Sequence, residues 1–492
     1  MHNGVSMFFE KIVTHMPRVV RFCLFVMTMV LSLVARGQSK TDLTKKIENN
    51  IRKYAIPKTS LSMAIGREVD GQVEIIYSLN DKQKFMPASL TKMVTGAAAL
   101  ELLTNDFQQS TQIWLSRKIN GATYEGDIYL VGNGDPGFVS ENLWFLVNEF
   151  VRTGIKEIKG NIVVDDSRFD SIRFDPGRDP QRVNRAYDAP IGAMSFNWNS
   201  VNVFIRPGSK VGAKPILFAD PESAYIQIDN RVKTIKGSSV RVGVQRVEKK
   251  NGDLIRVKGA IGINAPETVK YTSISKPEIW SGYQLLAFFE RRSIRVKGSV
   301  QKGSVPIDAS MVAEYKGKQL AESVRDMLKY SNNFVAEMLT KNIAAKMKGP
   351  PGKMDAGIEA ISQYLVSRGF QRSHFMISSP SGLSRKNQLR SADLLSLLLD
   401  LKSDFKVFPE FVSALPIMGV DGTLKSRLND DDIKNRIRAK TGLLTGVVGL
   451  AGYASPKSRS PLAFVFIFNG KGGLEVQAKA MFDTLLSDLV RN

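Results

Sequence analysis

The alternation of hydrophobic and polar positions predicts strands at both ends of the chain. Residues 59–79 alternate on either side of a turn near Asp70-Gly71, which predicts two paired strands. Near the C-terminus, residues 436–446, 448–454 and 461–470 predict three successive antiparallel strands. A final helix over about 474–490 presents one apolar face, made of Leu474, Ala478, Met481, Leu485 and Leu489. The two chain ends therefore predict a single α/β unit.

The middle of the chain changes character twice. An apolar helix follows Pro87, and small residues over 96–99 suit it to a central position between packed layers. Residues 104–309 then alternate short strands with turns, before helical spacing returns over about 316–346. The predicted fold class is α/β (α+β) with a large β-rich insertion of one or two domains. The expected divisions are 1–37, 38–103, 104–205, 206–270, 271–309 and 310–492.

The N-terminal 37 residues read as a cleaved signal peptide. Arginines precede an apolar run that ends in Ala35-Arg36-Gly37, and the run of about 14 residues is shorter than the roughly 20 needed to span a bilayer. The expectation is export to the periplasm. Residues 38–103 and 310–492 would then form the main unit, and 104–205 with 271–309 an inserted domain that itself carries 206–270.

Removal of the signal peptide would restrict the available chemistry. The cysteine, Cys23, would leave with it, as would His2 and His15, so that His374 remains as the imidazole. A cysteine nucleophile, a structural disulfide and a multi-histidine zinc site are excluded on that basis. We expect neither metal nor organic cofactor, and an enzyme built from this chain would activate Ser or Thr with Lys.

Charge is concentrated in the insertion. The formal net charge is +22, and residues 206–302 contain 19 Lys and Arg against 8 Asp and Glu. For an exported protein this favours an anionic envelope polymer or membrane surface as partner, and not a nucleic acid. A solvated basic face without a partner is the alternative.

A hydroxyl and an amine stand three residues apart at Ser89 and Lys92. Ser-x-x-Lys alone is weak, since it recurs at Ser273, Ser299 and Ser403. The copy at Ser89 opens an apolar helix, and two motifs follow it in order, Ser331-Asn332-Asn333 and Lys440-Thr441-Gly442. The ordered set of three motifs is specific.

Helical spacing brings the amine of Lys92 to the hydroxyl of Ser89, near the positive end of the helix dipole. A free lysine, with a pKa near about 10.4, is protonated at neutral pH and cannot act as a base. Burial and the second cation, Lys440, would disfavour the charged form of Lys92. Ser89 and Lys92 are therefore the candidate nucleophile and base.

The remaining motif residues suit the substrate side of the reaction. Ser331 can relay a proton to the leaving group, and Asn333 can hold Lys92 and the substrate amide. Thr441 can bind a carboxylate beside Lys440. Gly442 leaves room for substrate along an edge strand, and the backbone N–H groups of Ser89 and Leu443 are the candidate oxyanion donors.

The three motifs resemble those of the serine penicillin-recognising enzymes. Separations of 242 residues from Ser89 to Ser331 and 109 from Ser331 to Lys440 are similar to those of the class C low-molecular-mass penicillin-binding proteins, the D-alanyl-D-alanine carboxypeptidase/endopeptidase family. The resemblance implies a serine D,D-peptidase that hydrolyses stem-peptide ends or cross-links of peptidoglycan through an acyl-enzyme on Ser89 and is inhibited by β-lactam antibiotics. Supporting stretches are 126–136, 160–169, 195–203, 381–387 and 415–424.

The resemblance also implies a substrate subsite. An acid of the insertion, Asp165 or Asp166, and Arg385 would hold the diaminopimelate end, with Leu444 and Thr445 lining the same subsite. Asp165 and Asp166 could instead belong to a strand-end turn, and Arg385 to a surface ion pair.

Three points stay open at the level of sequence. Ser379-Pro380 stand where the family has Asp-Gly, which can reshape that loop because proline fixes φ and removes an N–H. Tyr330-Ser331-Asn332 could be the Tyr-x-Asn of a β-lactamase or esterase. A non-catalytic wall-binding protein with a vestigial site is the further alternative.

Overall fold

The structure is a computed structural model that describes residues 43–178, 184–457 and 460–491. The expected signal peptide, 1–37, lies outside these residues. Within them, no helix is long and apolar enough to cross a membrane.

The elements follow in chain order. The helices are α1 (43–53), α2 Thr91–Leu103, α3 Ser140–Val151, α4 Pro277–Arg291, α5 Leu320–Lys329, α6 Asn333–Lys348, α7 Met354–Ser367, α8 Ser391–Lys402, α9 Phe408–Ala414 and α10 Glu475–Arg491. The strands are β1 Leu61–Val69, β2 Gln72–Leu79, β3 Lys84–Phe85, β4 Gln108–Leu115, β5 Thr123–Tyr124, β6 Ile128–Gly132, β7 Glu157–Ile158, β8 Ile162–Asp165, β9 Ser200–Arg206, β10 Ile216–Asp220, β11 Ile226–Ile235, β12 Val240–Lys249, β13 Gly252–Gly262, β14 Thr268–Ser273, β15 Arg295–Val296, β16 Val300–Lys302, β17 Ser310–Gln319, β18 Leu389–Arg390, β19 Ile437–Leu444, β20 Val447–Ala454 and β21 Leu462–Asn469.

The five strands predicted at the chain ends form one antiparallel sheet in the order β19-β20-β21-β1-β2. Both faces of this sheet are covered. In β21, Ala463, Val465 and Ile467 pack with the central helices, whereas the alternate positions Phe464 and Phe466 pack with α10. Because successive side chains of a strand point to opposite faces, β21 contributes to both hydrophobic cores. The strand β19 lies at one edge of the sheet.

The helix α2 is buried at nearly every position and lies among α5, α6 and α7. Its small residues permit this close packing, since a Cβ on Gly96 would lie 3.1 Å from Cε of Met327. The helical region predicted from about 316 begins later, at Leu320, because residues 316–319 complete the strand β17. The predicted interruption near Ser331 separates α5 from α6.

The β-rich insertion leaves after Leu103 and returns at Leu320, and both residues belong to the same hydrophobic core. Its main sheet has the order β16-β8-β6-β4-β17, so the boundary expected at 309/310 falls at the start of a strand of the inserted sheet. Two further three-stranded sheets, β10-β9-β14 and β11-β13-β12, pack around a small core of their own. Because its two ends meet, the insertion leaves the packing of the main unit intact.

Candidate active site

Ser89 lies at the N-terminus of the buried helix. It sits in a 3₁₀ turn, Ala88–Leu90, directly before α2, so it precedes the helix on which the sequence placed it. Ala88 has a left-handed backbone with φ of 48°. The side chain of Ser89 is partly exposed, whereas Lys92, in the first turn of α2, is fully buried.

The amine of Lys92 is held by three oxygen atoms. Its Nζ lies 3.1 Å from Oγ of Ser89, 2.7 Å from Oδ1 of Asn333 and 2.5 Å from the carbonyl oxygen of Ser381. The amide of Asn333 is oriented by its Nδ2, which donates to the carbonyl of Tyr187 at 3.1 Å. A neutral amine has two hydrogens and one lone pair. The two carbonyl oxygens accept both hydrogens, and the lone pair is left for the hydroxyl of Ser89.

The surroundings favour the neutral form of this amine. Burial lowers the pKa of Lys92 well below its usual range, the charge of Lys440 lowers it further, Glu337 opposes the shift and Arg178 adds to it. Burial also lowers the pKa of Lys440, to about 7. Protonation of both Lys92 and Lys440 at neutral pH therefore carries a large cost in free energy. Lys92 is thus suited to be a base.

Lys440 and Ser331 form a second Ser-Lys pair. Nζ of Lys440 donates to Oγ of Ser331 at 2.8 Å and to the carbonyl of Thr441 at 2.7 Å. Ser331 lies in the connection between α5 and α6 with φ of 55°, which turns the chain so that its hydroxyl meets β19. Chemically, the two pairs can supply one base for a nucleophile and one proton donor for a leaving group.

The open edge of β19 faces Ser89. The N–H of Ala439 donates away from β20, to the carbonyl of Pro416 at 2.9 Å. In an antiparallel pair alternate residues point the same way, so the N–H groups of Thr441 and Leu443 point to the open edge. A Cβ on Gly442 would lie 2.9 Å from the carbonyl of Pro87 and 3.3 Å from the amide nitrogen of Ser89. Glycine therefore permits the close approach of strand and turn.

A cavity of about 700 Å³ opens between these elements. It is lined by Ser89, Asn184, Arg185, Tyr187, Asp188, Ser331, Asn333, Leu383, Leu443, Leu444 and Thr445. A second cavity of about 350 Å³ shares Leu383 and includes Arg178, Arg385 and Lys386.

Arg385 also donates to the carbonyl of Thr445 at 2.7 Å, so it stands at the end of β19. Thr441 lies on the same edge and bonds Thr423 at 2.9 Å.

Asp165 and Asp166 do not line either cavity. The carboxylate of Asp165 accepts the N–H groups of Ser167 and Val305 at 2.9 and 2.7 Å. That of Asp166 accepts the N–H of Met194 at 2.6 Å and pairs with Arg173. Both acids are buried and their oxygens bind groups inside the insertion, so these contacts do not support the substrate-binding role expected for them, which stays a prediction.

The segment Ser379-Pro380, where the sequence departs from the family, is tied to α2. The carbonyl of Pro380 accepts a bond from Thr95 at 2.8 Å, and the amide N–H of Ser379 donates to Asn387 at 3.0 Å. Pro380, which has no N–H to donate, therefore contacts α2 through its carbonyl oxygen. The next carbonyl, that of Ser381, is the one that holds Lys92.

Sequence reasoning missed the cavity wall supplied by residues 184–188 and the buried pair Arg178–Glu337. No motif marks residues 184–188, which lie about a hundred residues from Ser89 in the chain. A signal did exist for α6, where Asn333, Glu337 and Lys341 recur every four residues. All three are buried and contact the insertion.

Two other chemistries, catalysis that uses His374 and catalysis at a metal site, find no support in the described residues. His374 pairs with Asp393 at 3.4 Å and does not line the cavity that contains Ser89. In the part of the chain that the structure describes, no group of His, Cys, Asp and Glu side chains could hold a metal ion.

Comparisons with known proteins place the chain in a family. A model of the D-Ala-D-Ala carboxypeptidase 3 (S13) family matches residues 43–487. The chain is 29% identical over 454 residues to a D-alanyl-D-alanine carboxypeptidase of Actinomadura sp. (strain R39), covering 89% of this chain and 83% of the relative. It is 25% identical over 445 residues to DacB of Haemophilus influenzae, covering 89% and 90%. The crystal structure of penicillin binding protein 4 from Haemophilus influenzae matches with a TM-score of 0.78 at 23% identity, over 91% of this chain and 99% of that one.

The fold and the paired Ser-Lys site define a serine hydrolase of the penicillin-recognising class. The chain belongs to the D-Ala-D-Ala carboxypeptidase 3 (S13) family. It is a serine-type D,D-peptidase, and the predicted family and the α/β fold with its β-rich insertion are confirmed. The β-lactamase or esterase and the non-catalytic wall-binding protein are not favoured.

Proposed function

We propose that Ser89 is the nucleophile that opens the peptide bond between the two terminal D-alanines of a peptidoglycan stem peptide. Its Oγ attacks the carbonyl carbon while Lys92 takes the hydroxyl proton. The N–H groups of Ser89 and Leu443 then bind the oxyanion. The observation that carries the proposal is the bonding of Lys92, whose lone pair is directed to Ser89 because its other contacts are acceptors.

The second pair completes the turnover. When the C–N bond breaks, the leaving amine takes a proton from the hydroxyl of Ser331, which is resupplied by Lys440 at 2.8 Å. Lys92 first loses the proton taken from Ser89 to Lys440, which gave up its own to the leaving amine. Lys92 then takes a proton from the water that attacks the ester carbonyl, and it returns this proton to Oγ of Ser89 as the ester bond breaks. The substrate lies as an added strand along Thr441–Leu443, with its terminal carboxylate beside Lys440 and Thr441.

The acyl side of the substrate fits the two cavities. Leu444 and Thr445 line the larger cavity, and Arg385 with Lys386 makes the smaller one basic. This supports a peptide whose side branch carries a free carboxylate, as diaminopimelate does. Both a free stem end and a cross-link present that branch, so we propose carboxypeptidase activity with endopeptidase activity on cross-links.

Fluorescent penicillin tests the nucleophile. We expect covalent label on the wild-type protein and none on Ser89→Ala. The matched control is Ser403→Ala, which alters an exposed Ser-x-x-Lys of the same spacing and should label like the wild type. Label on Ser89→Ala would contradict the assignment.

Digestion of purified sacculi tests the substrate. Loss of terminal D-alanine from monomeric muropeptides reports carboxypeptidase activity, and loss of dimers reports endopeptidase activity. Unchanged muropeptides with wild-type protein, against changed ones with a known D,D-peptidase as control, would contradict the proposal.

Export to the periplasm is part of the same proposal and is supported by the signal-peptide pattern of residues 1–37. Fractionation of cells should recover the chain in the periplasm with Gln38 at its N-terminus. A chain without residues 1–37 should stay in the cytoplasm, and recovery of the uncut N-terminus from the periplasm would contradict cleavage. The basic insertion additionally supports contact with an anionic polymer of the envelope.

A further inference from the structure

The strand register of the sheet β11-β13-β12 separates an apolar face from a charged one. Alternate positions, among them Val232, Ile255 and Val257, turn inward to a hydrophobic core. The positions between them turn outward. These outward positions carry six cations, Arg231, Lys233, Arg241, Lys249, Arg256 and Lys258, which we call the basic face.

One carboxylate, Asp229, shares the outward positions of these strands, and it is already bonded. It accepts from Arg231 at 2.9 Å and from Arg256 at 3.0 Å. Among the described residues, no acidic side chain forms an ion pair with Lys233, Arg241 or Lys258, and all three are exposed. The positive charge of the face is therefore largely uncompensated within the fold.

Like charges stand opposite each other on this face. Arg231 pairs with Lys258 across β11 and β13, an arrangement that destabilises a sheet. In the next row, Lys233 and Arg241 flank Ala260 from the two neighbouring strands, so their backbones lie about 10 Å apart. Such repulsion is relieved when several anionic groups bind together, which a polymer with repeated charges provides.

We propose that the basic face is an exosite for peptidoglycan itself, which binds free carboxylates of stem peptides remote from the bond being cleaved. This inference rests on the proposed function, since the polymer is the substrate of the D,D-peptidase. A membrane surface is the less suitable partner, because the outward positions of the three strands present no exposed large hydrophobic side chain to enter lipid.

Sedimentation of the full chain with purified sacculi tests the exosite. The variant carries Lys233→Glu, Arg241→Glu and Lys258→Glu together, and a milder form carries Gln at the same positions. We expect binding by the charge-reversed protein to fall at least about tenfold at low ionic strength, because three contacts become repulsive. The wild type should lose binding as salt rises from about 0.05 M to about 0.5 M, because exposed charges are screened.

The matched control reverses three exposed cations elsewhere, Lys118→Glu, Lys348→Glu and Lys353→Glu, and should bind as the wild type does. Hydrolysis of a short soluble D-Ala-D-Ala peptide separates this inference from the proposed function. Both triple variants should keep that hydrolysis within about twofold, which also shows that they are folded. If the wild type did not hydrolyse the soluble peptide, that result would instead count against the peptidase proposal.

Chemical amidation of the stem-peptide carboxylates identifies the ligand. Sacculi treated in this way should bind the wild type no better than untreated sacculi bind the charge-reversed variant. Three results would overturn the inference: equal binding of both triple variants to sacculi, undiminished binding to amidated sacculi, or binding of the wild type to anionic phospholipid vesicles without binding to sacculi.

Discussion

Arg178 of the insertion and Glu337 of α6 form an ion pair that is buried on both sides. Nε and Nη2 of Arg178 donate to the same carboxylate oxygen of Glu337. Glu337 stands one helical turn beyond Asn333, the residue that holds Lys92. The insertion thus supplies the cation that compensates a carboxylate near the proposed base.

Replacement of Arg178 should alter the pH dependence of acylation. The charged groups that act on Lys92 are Lys440 and Arg178, which lower its pKa, and Glu337, which raises it. In Arg178→Met the carboxylate acts without compensation, so the pKa of Lys92 rises and less neutral amine is present at low pH. We expect the acid limb of the pH profile of penicillin acylation to move to higher pH. At the acidic end of that limb the acylation rate should be about tenfold lower than that of the wild type.

The double variant is the control. Arg178→Met with Glu337→Gln removes both charges and should return the acid limb towards that of the wild type, whereas Glu337→Gln alone should move it to lower pH. Breaking the buried pair costs about 3–5 kcal/mol, so folded protein is quantified by urea unfolding before rates are compared. Equal acid limbs in the single and double variants would exclude the electrostatic coupling.

Removal of a buried amine should stabilise the protein most below neutral pH. The pKa of Lys440 is about 7 in the folded state and about 10.4 when unfolded. Between these values the unfolded chain binds more protons, so wild-type stability rises with pH through this window and is lowest at or below about pH 7. Lys440→Met lacks the buried charge, so its free energy of unfolding near pH 7 should be about 1–3 kcal/mol higher than that of the wild type. This difference already allows for the lost hydrogen bonds to Ser331 and Thr441.

The advantage of Lys440→Met should shrink as the pH rises from about 7 towards about 10.4, because the folded wild-type protein then no longer holds a buried charge and the unfolded amine also approaches neutrality. Urea unfolding at several pH values measures this difference. Lys348→Met, at an exposed position, should show a constant difference. A gain that is the same at all pH values would contradict the buried-charge explanation, and Lys440→Met should in every case lose acylation.

Gly442→Ala should block acylation by steric contact. The new Cβ would lie 2.9 Å from the carbonyl of Pro87 and 3.3 Å from the amide nitrogen of Ser89. We expect the second-order rate with penicillin to fall about a hundredfold, since strand and nucleophile must separate. Gly243→Ala is the control, because nothing lies within 4 Å of its added Cβ. Wild-type acylation by Gly442→Ala would show that the approach is not needed.

Arg385→Ala should change substrate selection without loss of stability. The side chain is exposed and bonds Thr445 at the end of β19. For a peptide with a free carboxylate on its side branch we expect kcat/KM to fall about 10- to 100-fold, through KM, while a neutral-branched peptide changes less than about threefold. Lys386→Ala, on the same exposed turn, tests whether charge alone is responsible. Equal losses for both peptides would contradict a carboxylate subsite.

The sequence predicted the fold well where periodicity was uninterrupted. The strands β1, β2, β19, β20 and β21 were expected because each alternates or is wholly apolar between turn residues. The start of α5 was placed too early, although Gly317, a poor helix former, lies within residues 316–319. Their strand conformation comes from pairing of β17 with β4, which is some two hundred residues distant and invisible to local pattern.

The residues of the candidate site that could be predicted from the sequence are those that belong to the three motifs. Ser-x-x-Lys places Lys92 one turn after Ser89, across the junction of the 3₁₀ turn and α2. The ordered motifs indicated which other residues to bring together. The contact between the insertion and α6 could not be derived in this way. Arg178 lies in an irregular segment and Tyr187 in a 3₁₀ turn of three residues, and neither stretch is long enough to show periodicity. The acids Asp165 and Asp166 were selected by resemblance, and the groups that bind them inside the insertion are brought there by tertiary packing.

Asp166→Asn provides the contrast to Arg385. Oδ1 of Asp166 accepts the N–H of Met194, and the other oxygen pairs with Arg173, which also binds Glu278 at 2.8 Å. Asparagine keeps one acceptor and loses the charge, so we expect a loss of about 1–3 kcal/mol in the free energy of unfolding. Acylation per folded molecule, and kcat/KM for the carboxylate-bearing peptide, should stay within about twofold of the wild type. A selective rise in KM for that peptide, with unchanged stability, would return Asp166 to the substrate site and show that the buried pair opens when substrate binds.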